Sequence, residues 1–424
     1  MEGQYVLIGN SAAALAAIDA IRKFDGGGSI VLLNREHGPA YSRVALPYYV
    51  AGEMTLEDLL IRQRADYQRL GVELVEDASV VAVDAGAKQV VLADGRKLRF
   101  GKLLLGTGSG CSMPPISGLE AVPHHYLWTL DDAKGLRAAA QKARRAVLIG
   151  GGFIGMLAAE ALRKLNLRLT IVEMASQLLP QLLDAEGGRR FSQAVAEAGV
   201  TLRLGATVAA VAANNGEITV TLEGGEALLA DLLVVAAGVE PNVGFLRNGP
   251  CVVNRGVVVD EWLETDCADI FAAGDVAEVK DFLGGDRTIH AIWPAAVEQG
   301  RIAGANMAGQ RLTYAGSLGM NVVTLFNLTL AQLGRFREAP GDEVQLLSNT
   351  AAAYRKVVVS ADGGIAGAMY LGDENGVAEM GVINGLIKRR ASWREFADYK
   401  LPRFTYATTI YGRGQHGPRP RPVR

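Results

Sequence analysis

The chain has 424 residues, 49% of them hydrophobic and 21% charged, which gives room for two or three domains with sizeable cores and argues against global disorder. Its formal net charge of −2 gives no reason to expect nucleic acid or an anionic membrane as the main partner. The N-terminus leads straight into a strand, and no uninterrupted apolar stretch reaches about 18 residues, so we expect neither a leader nor membrane insertion.

The number and spacing of the cysteines limit the classes of disulfide and metal site that the chain could contain. Cys111, Cys251 and Cys267 are far apart in the sequence and are not in CxxC spacing. This pattern argues against a disulfide framework or a local metal knuckle, so no metal site is expected, and it fits a reducing cytoplasm.

The first periodic segment predicts a βαβ unit. A strand at 5–8 is followed by a turn, a helix from about residue 12 to 23, and a second strand at 30–33. The turn has Ser11 where a dinucleotide-binding fingerprint has its second glycine, and serine is the smallest change that keeps a hydroxyl near phosphate. Glu36 is the best ribose-binding acid after the second strand, with an ordinary solvated loop acid as the alternative. Asn34 stands where that strand ends, which leaves the register of this contact open.

A second unit carries the stronger fingerprint. After a strand at 146–149, Gly150 permits a tight turn, Gly152 lets the backbone approach a pyrophosphate, and Gly155 lets the helix pack on the strand. The helix N-terminus then offers N–H donors to phosphate. Glu173 ends the next strand and is placed to accept the adenosine ribose hydroxyls. The unit therefore predicts dinucleotide binding.

The rest of the chain sets the organisation. Short β segments fill 72–106, prolines at 114–115 and 241 mark crossings between domains, and the glycine-turn pattern stops at about 312. The predicted fold class is α/β, with two Rossmann-like dinucleotide-binding domains, one inserted in the other, and a C-terminal α+β domain. The predicted domains are 1–114 with 241–311 (first nucleotide domain), 115–240 (inserted nucleotide domain) and 312–424 (C-terminal interface domain, with a disordered basic tail at 412–424).

Three further motifs accompany the two units in order: 105–108, 237–242 and 270–275. With both units, this order and spacing resembles the pyridine-nucleotide flavoprotein reductases. The chain is most similar to the branch with NADH:rubredoxin reductases, the flavin segment of nitrite reductases and CoA-disulfide reductases. The resemblance covers about 3–310 strongly and the remainder weakly. It implies FAD in the first unit and NAD(H) in the second. Because the FAD assignment depends on phosphate turns and Asp275, we expect the FAD to be bound without a covalent link.

The resemblance also assigns contacts. Asp275 would take the ribityl hydroxyls, a role compatible with capping a helix, and the helix start at Trp293 would stabilise negative charge on the reduced flavin, with plain core or interface as the alternative for Trp293. The residues expected to contact FAD are Gly9, Ser11, Ala12, Ala14, Glu36, Arg43, Pro47, Thr107, Gly108, Gly274, Asp275, Trp293 and Ala296. Those expected to contact NAD(H) are Gly150, Gly152, Phe153, Ile154, Gly155, Glu173 and Gly238.

The segment 41–48 matches the flavin-proximal helix of the family but departs from it. Where CoA-disulfide reductases carry one redox cysteine, this chain has Val44, which forms neither a thiolate nor a sulfenic acid. Many relatives also place a lysine in this helix and a glutamate after the third glycine of the NAD motif, where Tyr48 and Leu157 stand here. Arg43 is then the nearest fixed cation and the one possible catalytic side chain, with a FAD phosphate or surface contact as its alternative.

We therefore predict a hydride exchange with NAD(H) and single-electron exchange with an iron–sulfur partner. One arrangement is the flavin subunit of a larger oxidoreductase, as in anaerobic aldehyde or 2-oxoacid oxidoreductases. The alternatives are a stand-alone rubredoxin or ferredoxin reductase and a non-enzymatic FAD-bound sensor. A homo-oligomer or a hetero-oligomer is expected. The helix after Trp293 and the segment around Phe326 are expected to line the partner's docking surface, and the basic tail to assist it.

Overall fold

The computed structural model describes residues 4–246, Gly249 and residues 251–398. The chain divides into two compact units, one formed by Met1–Met174 with Ala206–Leu318 and the other by Ala175–Gly205 with Gly319–Arg424. The three domain boundaries expected from the sequence are a finer division and stay a prediction. The basic tail at 412–424 lies outside the described residues.

Helices and strands are numbered here in chain order. The helices are α1 (Ala12–Phe24), α2 (Leu46–Ala51), α3 (Arg64–Arg69), α4 (Leu130–Ala140), α5 (Phe153–Lys164), α6 (Ala185–Glu197), α7 (Trp293–Met307), α8 (Val377–Lys388) and α9 (Trp393–Asp398). The strands are β1 (Tyr5–Ile8), β2 (Ile30–Leu33), β3 (Val72–Val75), β4 (Val80–Asp84), β5 (Gln89–Leu92), β6 (Lys97–Arg99), β7 (Lys102–Leu105), β8 (Ser109–Cys111), β9 (Arg145–Ile149), β10 (Arg168–Glu173), β11 (Thr201–Leu204), β12 (Val208–Asn214), β13 (Glu217–Leu222), β14 (Ala227–Ala230), β15 (Leu232–Val235), β16 (Val239–Pro241), β17 (Val257–Val258), β18 (Ile270–Ala272), β19 (Ala277–Lys280), β20 (Arg287–Thr288), β21 (Met320–Leu325), β22 (Leu328–Gly334), β23 (Glu343–Asn349), β24 (Tyr354–Val359) and β25 (Ile365–Gly372).

The first unit is built on a parallel sheet in the order β18-β7-β1-β2-β3. At its centre Leu7 of β1 lies between Leu32 of β2 and Leu104 of β7, and all three side chains are fully buried. Continuous apolar strands of this kind are expected where a parallel sheet is covered on both faces. The turns that follow the strands therefore share one edge of the sheet, where nucleotides bind in such folds.

Helices α1 and α7 of this unit pack almost backbone to backbone. A Cβ added to Gly300 would lie 2.1 Å from the carbonyl oxygen of Ala13, and one added to Gly304 would lie 2.4 Å from that of Ala17. Small residues on both helices make this approach sterically possible. The close packing fixes the start of α1 against the middle of α7.

A second parallel sheet, with the order β10-β9-β15, carries the second glycine turn. Strands β12, β13 and β14 form an antiparallel sheet that follows it in the chain. The two crossings expected near Pro114 and Pro241 lie beside an antiparallel ribbon in which β8 pairs with β16. Ser109 is opposite Pro241 and Cys111 is opposite Val239 in that ribbon.

The second unit is an antiparallel sheet in the order β21-β22-β25-β24-β23, with α8 packed on β22 and β25. Its buried cation is Lys356, which is 3% exposed and lies 2.6 Å from a carboxylate oxygen of Asp184. The Tyr354 hydroxyl donates to the same carboxylate over 2.8 Å. A buried charge needs such compensation, since removing one partner would leave the other ion unpaired in a dry site.

The carboxyl group of Glu379 on α8 makes stability in this unit depend on pH. Glu379 is 8% exposed, and burial raises its pKa to about 7, with Arg355 opposing this shift and Asp373 adding to it. The folded state then holds a proton that the unfolded state has already released. The free energy of unfolding therefore falls as the pH rises from about 4.5 to about 7, and the loss is complete above pH 7.

We expect Glu379→Gln to remove this loss. At pH 8 the variant should be more stable than the parent by about 1–3 kcal/mol, while at pH 4.5 the difference should nearly vanish. Urea unfolding at both pH values measures this, with Glu374→Gln, at an exposed position, as the control. An equal difference at both pH values would show that titration of Glu379 is not the cause.

Candidate functional site

The turn between β9 and α5 has the geometry of a phosphate cradle. Gly150 has φ +104°, and a Cβ there would lie 2.3 Å from the carbonyl oxygen of Ala236. A Cβ at Gly155 would lie 2.1 Å from the carbonyl oxygen of Gly150, so both positions require glycine. Gly152 caps α5 without a side chain and has nothing within 4 Å of its Cβ position. A pyrophosphate therefore has open access to the N–H groups at the start of this helix.

The acidic residue of this unit lies against its glycine turn. A carboxylate oxygen of Glu173, the last residue of β10, accepts a hydrogen bond from the Gly151 N–H over 2.5 Å. Phe153 and Ile154 are half-buried in the first turn of α5, and Gly238 has φ +120° in the loop after β15. The structure thus brings the expected carboxylate to the turn where a ribose beside the pyrophosphate would lie.

The first glycine turn repeats this arrangement. Gly9 has φ +104°, and a Cβ there would lie 2.1 Å from the carbonyl oxygen of Gly106. Ser11 caps α1 without a side-chain hydrogen bond, and no acidic residue occupies the first turn, which begins with the buried Ala12 and Ala14. The positive end of α1 is therefore open to an anion.

Asn10 in the same turn supplies a further polar group. Its Oδ1 accepts from the Tyr67 hydroxyl over 2.8 Å, whereas its Nδ2 is buried with no hydrogen-bond partner among the described residues. A buried donor without a hydrogen bond is costly, so the Asn10 Nδ2 group beside the start of α1 indicates a site for a bound polar group.

Glu36 belongs to a network and is not a solvated loop acid. Its carboxylate accepts from the Tyr41 hydroxyl over 2.6 Å and pairs with the Arg43 guanidinium. Arg43 also donates to the carbonyl oxygen of Trp128 over 2.8 Å, and its guanidinium lies 5.2 Å from the centre of the Tyr41 ring. Arg43 is therefore already bound on two sides, to the first nucleotide unit and to the start of the insertion.

Asp275 lies after β18 at the same edge of the sheet. Burial raises the pKa of its carboxyl, while the Ser109 hydroxyl, which donates over 2.7 Å, and the Arg43 guanidinium oppose this shift. Gly274 has φ +83° and donates to Oε1 of the buried Gln299 over 2.8 Å. A Cβ added to Gly274 would lie 3.5 Å from Cβ of Ala296 on α7, so the turn that carries Asp275 packs directly against the start of α7.

The loop after β7 is held by a reciprocal contact. The Thr107 hydroxyl donates to the carbonyl oxygen of Asn242 over 2.9 Å, and the Asn242 amide donates to the Thr107 carbonyl oxygen over the same distance. The carbonyl oxygen of Gly108, at φ +64°, accepts from the Asn242 N–H. The Thr107 side chain thus shapes the loop, and sequence reasoning did not single out Asn242 as its partner.

Apolar side chains flank this edge. Val44 is 59% exposed in the turn Arg43–Ala45, and Tyr48 is 45% exposed with the Lys164 ammonium 5.9 Å from its ring centre. Pro47 is buried within α2, and Trp293, half-buried, packs on the core of the first unit. The exposed apolar surface around Val44 fits a large planar ring.

Two of the cysteines lie together. Cys251 and Cys267 are distant in the sequence, but their Sγ atoms and a carboxylate oxygen of Asp266 lie within 4.8 Å of one another. The spacing of the cysteines did not predict this contact, because the loop before β18 folds back on residue 251, and the expectation of no metal site stays a prediction. Cys111 is separate in β8, where burial raises its pKa to about 11 and Asp132 adds to the shift.

Known proteins share most of the length of this chain. The model of the family described as "pyridine nucleotide-disulphide oxidoreductase" matches residues 3–300. The chain belongs to this family. It is 35% identical over 390 residues to the "NADH-dependent phenylglyoxylate dehydrogenase subunit epsilon" of Aromatoleum evansii, covering 91% of this chain and 92% of that protein. It is 28% identical over 310 residues to the "rubredoxin-NAD(+) reductase" of Pseudomonas putida, covering 72% and 80%.

Solved structures agree with this membership. The reduced CoADR-RHD protein of Bacillus anthracis superposes with a TM-score of 0.85 at 26% identity, covering 92% of this chain and 74% of that chain. The family resemblance and the fold class with two Rossmann-like domains are confirmed. The protein is an oxidoreductase, and its family implies a flavin and NAD(H) as cofactors. Within the described residues, no helix combines the length and apolar character needed to cross a membrane.

We expect the cysteines to be dispensable for NADH oxidation. Replacing Cys111, Cys251 and Cys267 together with serine should preserve NADH-driven dye reduction within about twofold, because burial keeps the pKa of Cys111 at about 11 and that of Cys251 at about 12, far from a reactive thiolate. Steady-state assays of the folded, flavin-loaded variant measure this. Loss of flavin reduction by NADH in that variant would reveal a redox thiol.

Proposed function

We propose that the protein binds FAD at the turn Gly9–Ala14 and NAD(H) at the turn Gly150–Gly155, and exchanges single electrons with an iron–sulfur partner. The observation that carries the proposal is Val44, exposed at the start of the flavin-proximal helix where a thiol relay would need cysteine. Without a thiol there, electrons leave from the flavin itself. The partner must therefore approach the flavin edge.

In this proposal each nucleotide-binding element has a defined role. The open start of α1 holds the FAD phosphates, Asp275 accepts the ribityl hydroxyls, and the start of α7 places N–H groups toward negative charge on the ring. The start of α5 holds the NADH pyrophosphate, and Glu173 accepts its ribose hydroxyls. When bound, the flavin would supply the exchange between the two electrons of a hydride and single electrons. The side chains position the cofactors and exclude water.

The network around Glu36 would bind the adenosine end of FAD. Arg43 neutralises the carboxylate of Glu36, and the Tyr41 hydroxyl occupies its second oxygen. A ribose would share this carboxylate with Tyr41. Arg43 is thus proposed as a positioning residue for Glu36, and its possible catalytic role remains a prediction.

The favoured arrangement is the flavin subunit of a larger oxidoreductase. The relative named as a subunit of an NADH-dependent phenylglyoxylate dehydrogenase is more similar than the rubredoxin reductase, at 35% against 28% identity, and aligns over nearly its whole length. Phenylglyoxylate is a 2-oxoacid, so a 2-oxoacid oxidoreductase complex is the proposed context. A stand-alone reductase is the second candidate, supported by the rubredoxin reductase match. Membership of an oxidoreductase family disfavours a sensor.

The side chain of Phe326 is packed inside the second unit. Phe326 is 4% exposed and packs edge-to-face on Phe191, with ring centres 6.1 Å apart. The Phe326 side chain is therefore a core contact, and docking of a partner on the segment around it stays a prediction. The proposed surface is the start of α7. The basic tail and a cytoplasmic location stay predictions.

Purification from native expression, followed by metal and flavin analysis, tests the proposal. We expect iron-containing subunits to co-purify, and acid precipitation to release FAD into the supernatant. A protein that runs without iron yet reduces rubredoxin or ferredoxin with NADH would favour the stand-alone arrangement. FMN, or flavin retained in the precipitate, would contradict the two-phosphate site at Gly9–Ala14.

A further inference from the structure

The loop before β18 gathers two thiols and a carboxylate away from the glycine turns. Cys251, Asp266 and Cys267 place one ligand atom each within 4.8 Å of the others. In the described part of the chain this is the one such group of three cysteine, histidine or acidic side chains. Cys267 precedes the amino end of β18, whereas Gly274 and Asp275 follow its carboxyl end. The group therefore lies at the opposite edge of the sheet from the proposed flavin site.

Neighbouring backbone holds the three side chains in place. The Val252 N–H donates to Oδ1 of Asp266 over 2.9 Å, which orients the carboxylate beside the thiols. The Thr265 hydroxyl accepts from the Cys267 N–H over 3.1 Å and lies 3.8 Å from Sγ of Cys251. Orientation by outer partners of this kind is typical of residues that bind metal ions.

The distances suit a small thiophilic ion. Zn²⁺ binds thiolate sulfur at about 2.3 Å and carboxylate oxygen at about 2.0–2.2 Å, so tetrahedral ligand atoms lie about 3.8 Å apart. Atoms already within 4.8 Å of one another reach that spacing through small rotamer changes. Cys251 is 6% exposed, Cys267 is half-buried and Asp266 is exposed, so the ion has a route from solvent to the buried thiol.

We propose that Cys251, Asp266 and Cys267 bind one thiophilic divalent cation, with Zn²⁺ as its representative and water as the fourth ligand. Binding replaces both thiol protons, which pass to solvent, so that two thiolates and one carboxylate surround the ion with no change in oxidation state. The site is distinct from the nucleotide turns and does not depend on the proposed electron transfer. Its role is structural, because the group lies at the opposite edge of the sheet from the proposed flavin site.

A disulfide between the two thiols is the competing interpretation, and the position of Asp266 disfavours it. A disulfide would use only the two thiols, whereas the Asp266 carboxylate, held by the Val252 N–H, places a third ligand atom beside them. A cation offsets the negative charge of this carboxylate and uses all three side chains.

Zn²⁺ titration of untagged, flavin-loaded, full-length protein tests the proposal. After reduction and removal of metal by chelator, we expect one Zn²⁺ per chain in competition with a chromophoric chelator, with two protons released in weak buffer. Cys267→Ser should abolish this binding. Asp266→Asn, at an exposed position, should weaken it by more than about tenfold, because Asp266 is a direct ligand and loss of even an outer-shell partner typically costs about that much.

Cys111→Ser is the matched control and should bind Zn²⁺ like the parent. Flavin content and thermal unfolding establish that each variant is folded. Because Cys251 is buried, Cys251→Ser could be unstable, whereas Asp266→Asn changes an exposed side chain and keeps the test valid. Binding that is absent in the parent, or unchanged in Cys267→Ser, would overturn the proposal. Formation of a Cys251–Cys267 disulfide under mild oxidation in a parent that binds no Zn²⁺ would also overturn it, in favour of a dithiol.

Discussion

Replacing Gly300 with alanine should destabilise the protein by about 3 kcal/mol or more and release most of its flavin. The new methyl group would lie 2.1 Å from the carbonyl oxygen of Ala13, and its nearest neighbours are all backbone atoms that no rotamer change can move. Helix α7 must then shift away from α1, at the upper end of the roughly 1–3 kcal/mol typical of overpacked cores. The shift also displaces Gly274 and the start of α7, the elements proposed to hold the flavin.

The sign of this effect distinguishes packing from helix propensity. Alanine in a helix interior is more favourable than glycine by up to about 1 kcal/mol, so propensity alone predicts stabilisation. Gly385→Ala on α8 is the matched control, because nothing lies within 4 Å of its Cβ position, and it should stabilise the protein by about 0.5–1 kcal/mol. Urea unfolding with release of flavin fluorescence measures both variants. Similar behaviour of the two would show that α1 and α7 do not touch at Gly300.

The second large effect is expected at Glu173. Removing its carboxylate in Glu173→Ala should raise the KM for NADH by about ten- to a hundredfold, since a hydrogen bond to a charged group contributes about 1.5–3 kcal/mol. The kcat at saturating NADH should change far less, because the adenosine ribose is remote from the hydride. The parent should strongly prefer NADH to NADPH, since Glu173 repels a 2′-phosphate and neither Met174 nor Ala175 supplies a cation.

Steady-state kinetics with both nucleotides and an artificial acceptor measure this prediction. Glu223→Ala, an exposed acid in the turn between β13 and β14, is the control and should leave both constants unchanged. The Glu173 carboxylate also accepts from the Gly151 N–H, so Glu173→Gln, which keeps an acceptor oxygen, should fall between the parent and the alanine variant. Equal use of NADH and NADPH by the parent would refute the assignment.

Local patterns predicted the nucleotide units well. Helices α1 and α5 begin at the residues expected, because a glycine turn and an apolar strand together leave one position for the first helical turn. The sheet of the second unit was harder to predict. The apolar run at 356–359 indicates one strand, now seen as β24, but the antiparallel partners of that strand lie at separations that no local period reports. Helix α6 was missed because Gly187 and Gly188 weaken its pattern.

The site shows the same limit. The Asp275 carboxylate was predicted from its motif, but its hydrogen-bond donor Ser109 was not, because the two are 166 residues apart in the chain. Gln299 and Trp128 were likewise missed, because their contacts with Gly274 and Ser109 join separate elements of the chain that no local period relates. Asn34 shapes the loop that holds Glu36, because its Oδ1 accepts a hydrogen bond from the Glu36 N–H. Its position at the end of a strand did not distinguish this role from that of an ordinary turn residue.

The ribbon formed by β8 and β16 has a consequence for how this protein could be rebuilt. The strand that leaves the first nucleotide unit at Ser109 pairs with the strand that returns at Pro241, so the ends of the whole insertion lie side by side. A segment closed at its base adds little loop-closure entropy to the remainder, because that cost grows only with the logarithm of length. The insertion is not independent of the rest of the chain, however, because Ala175–Gly205 within it belongs to the second compact unit, where Asp184 pairs with Lys356. A piece with another coenzyme preference, grafted at Cys111 and Val239, should therefore change which nucleotide is oxidised only if it keeps Ala175–Gly205 of this chain.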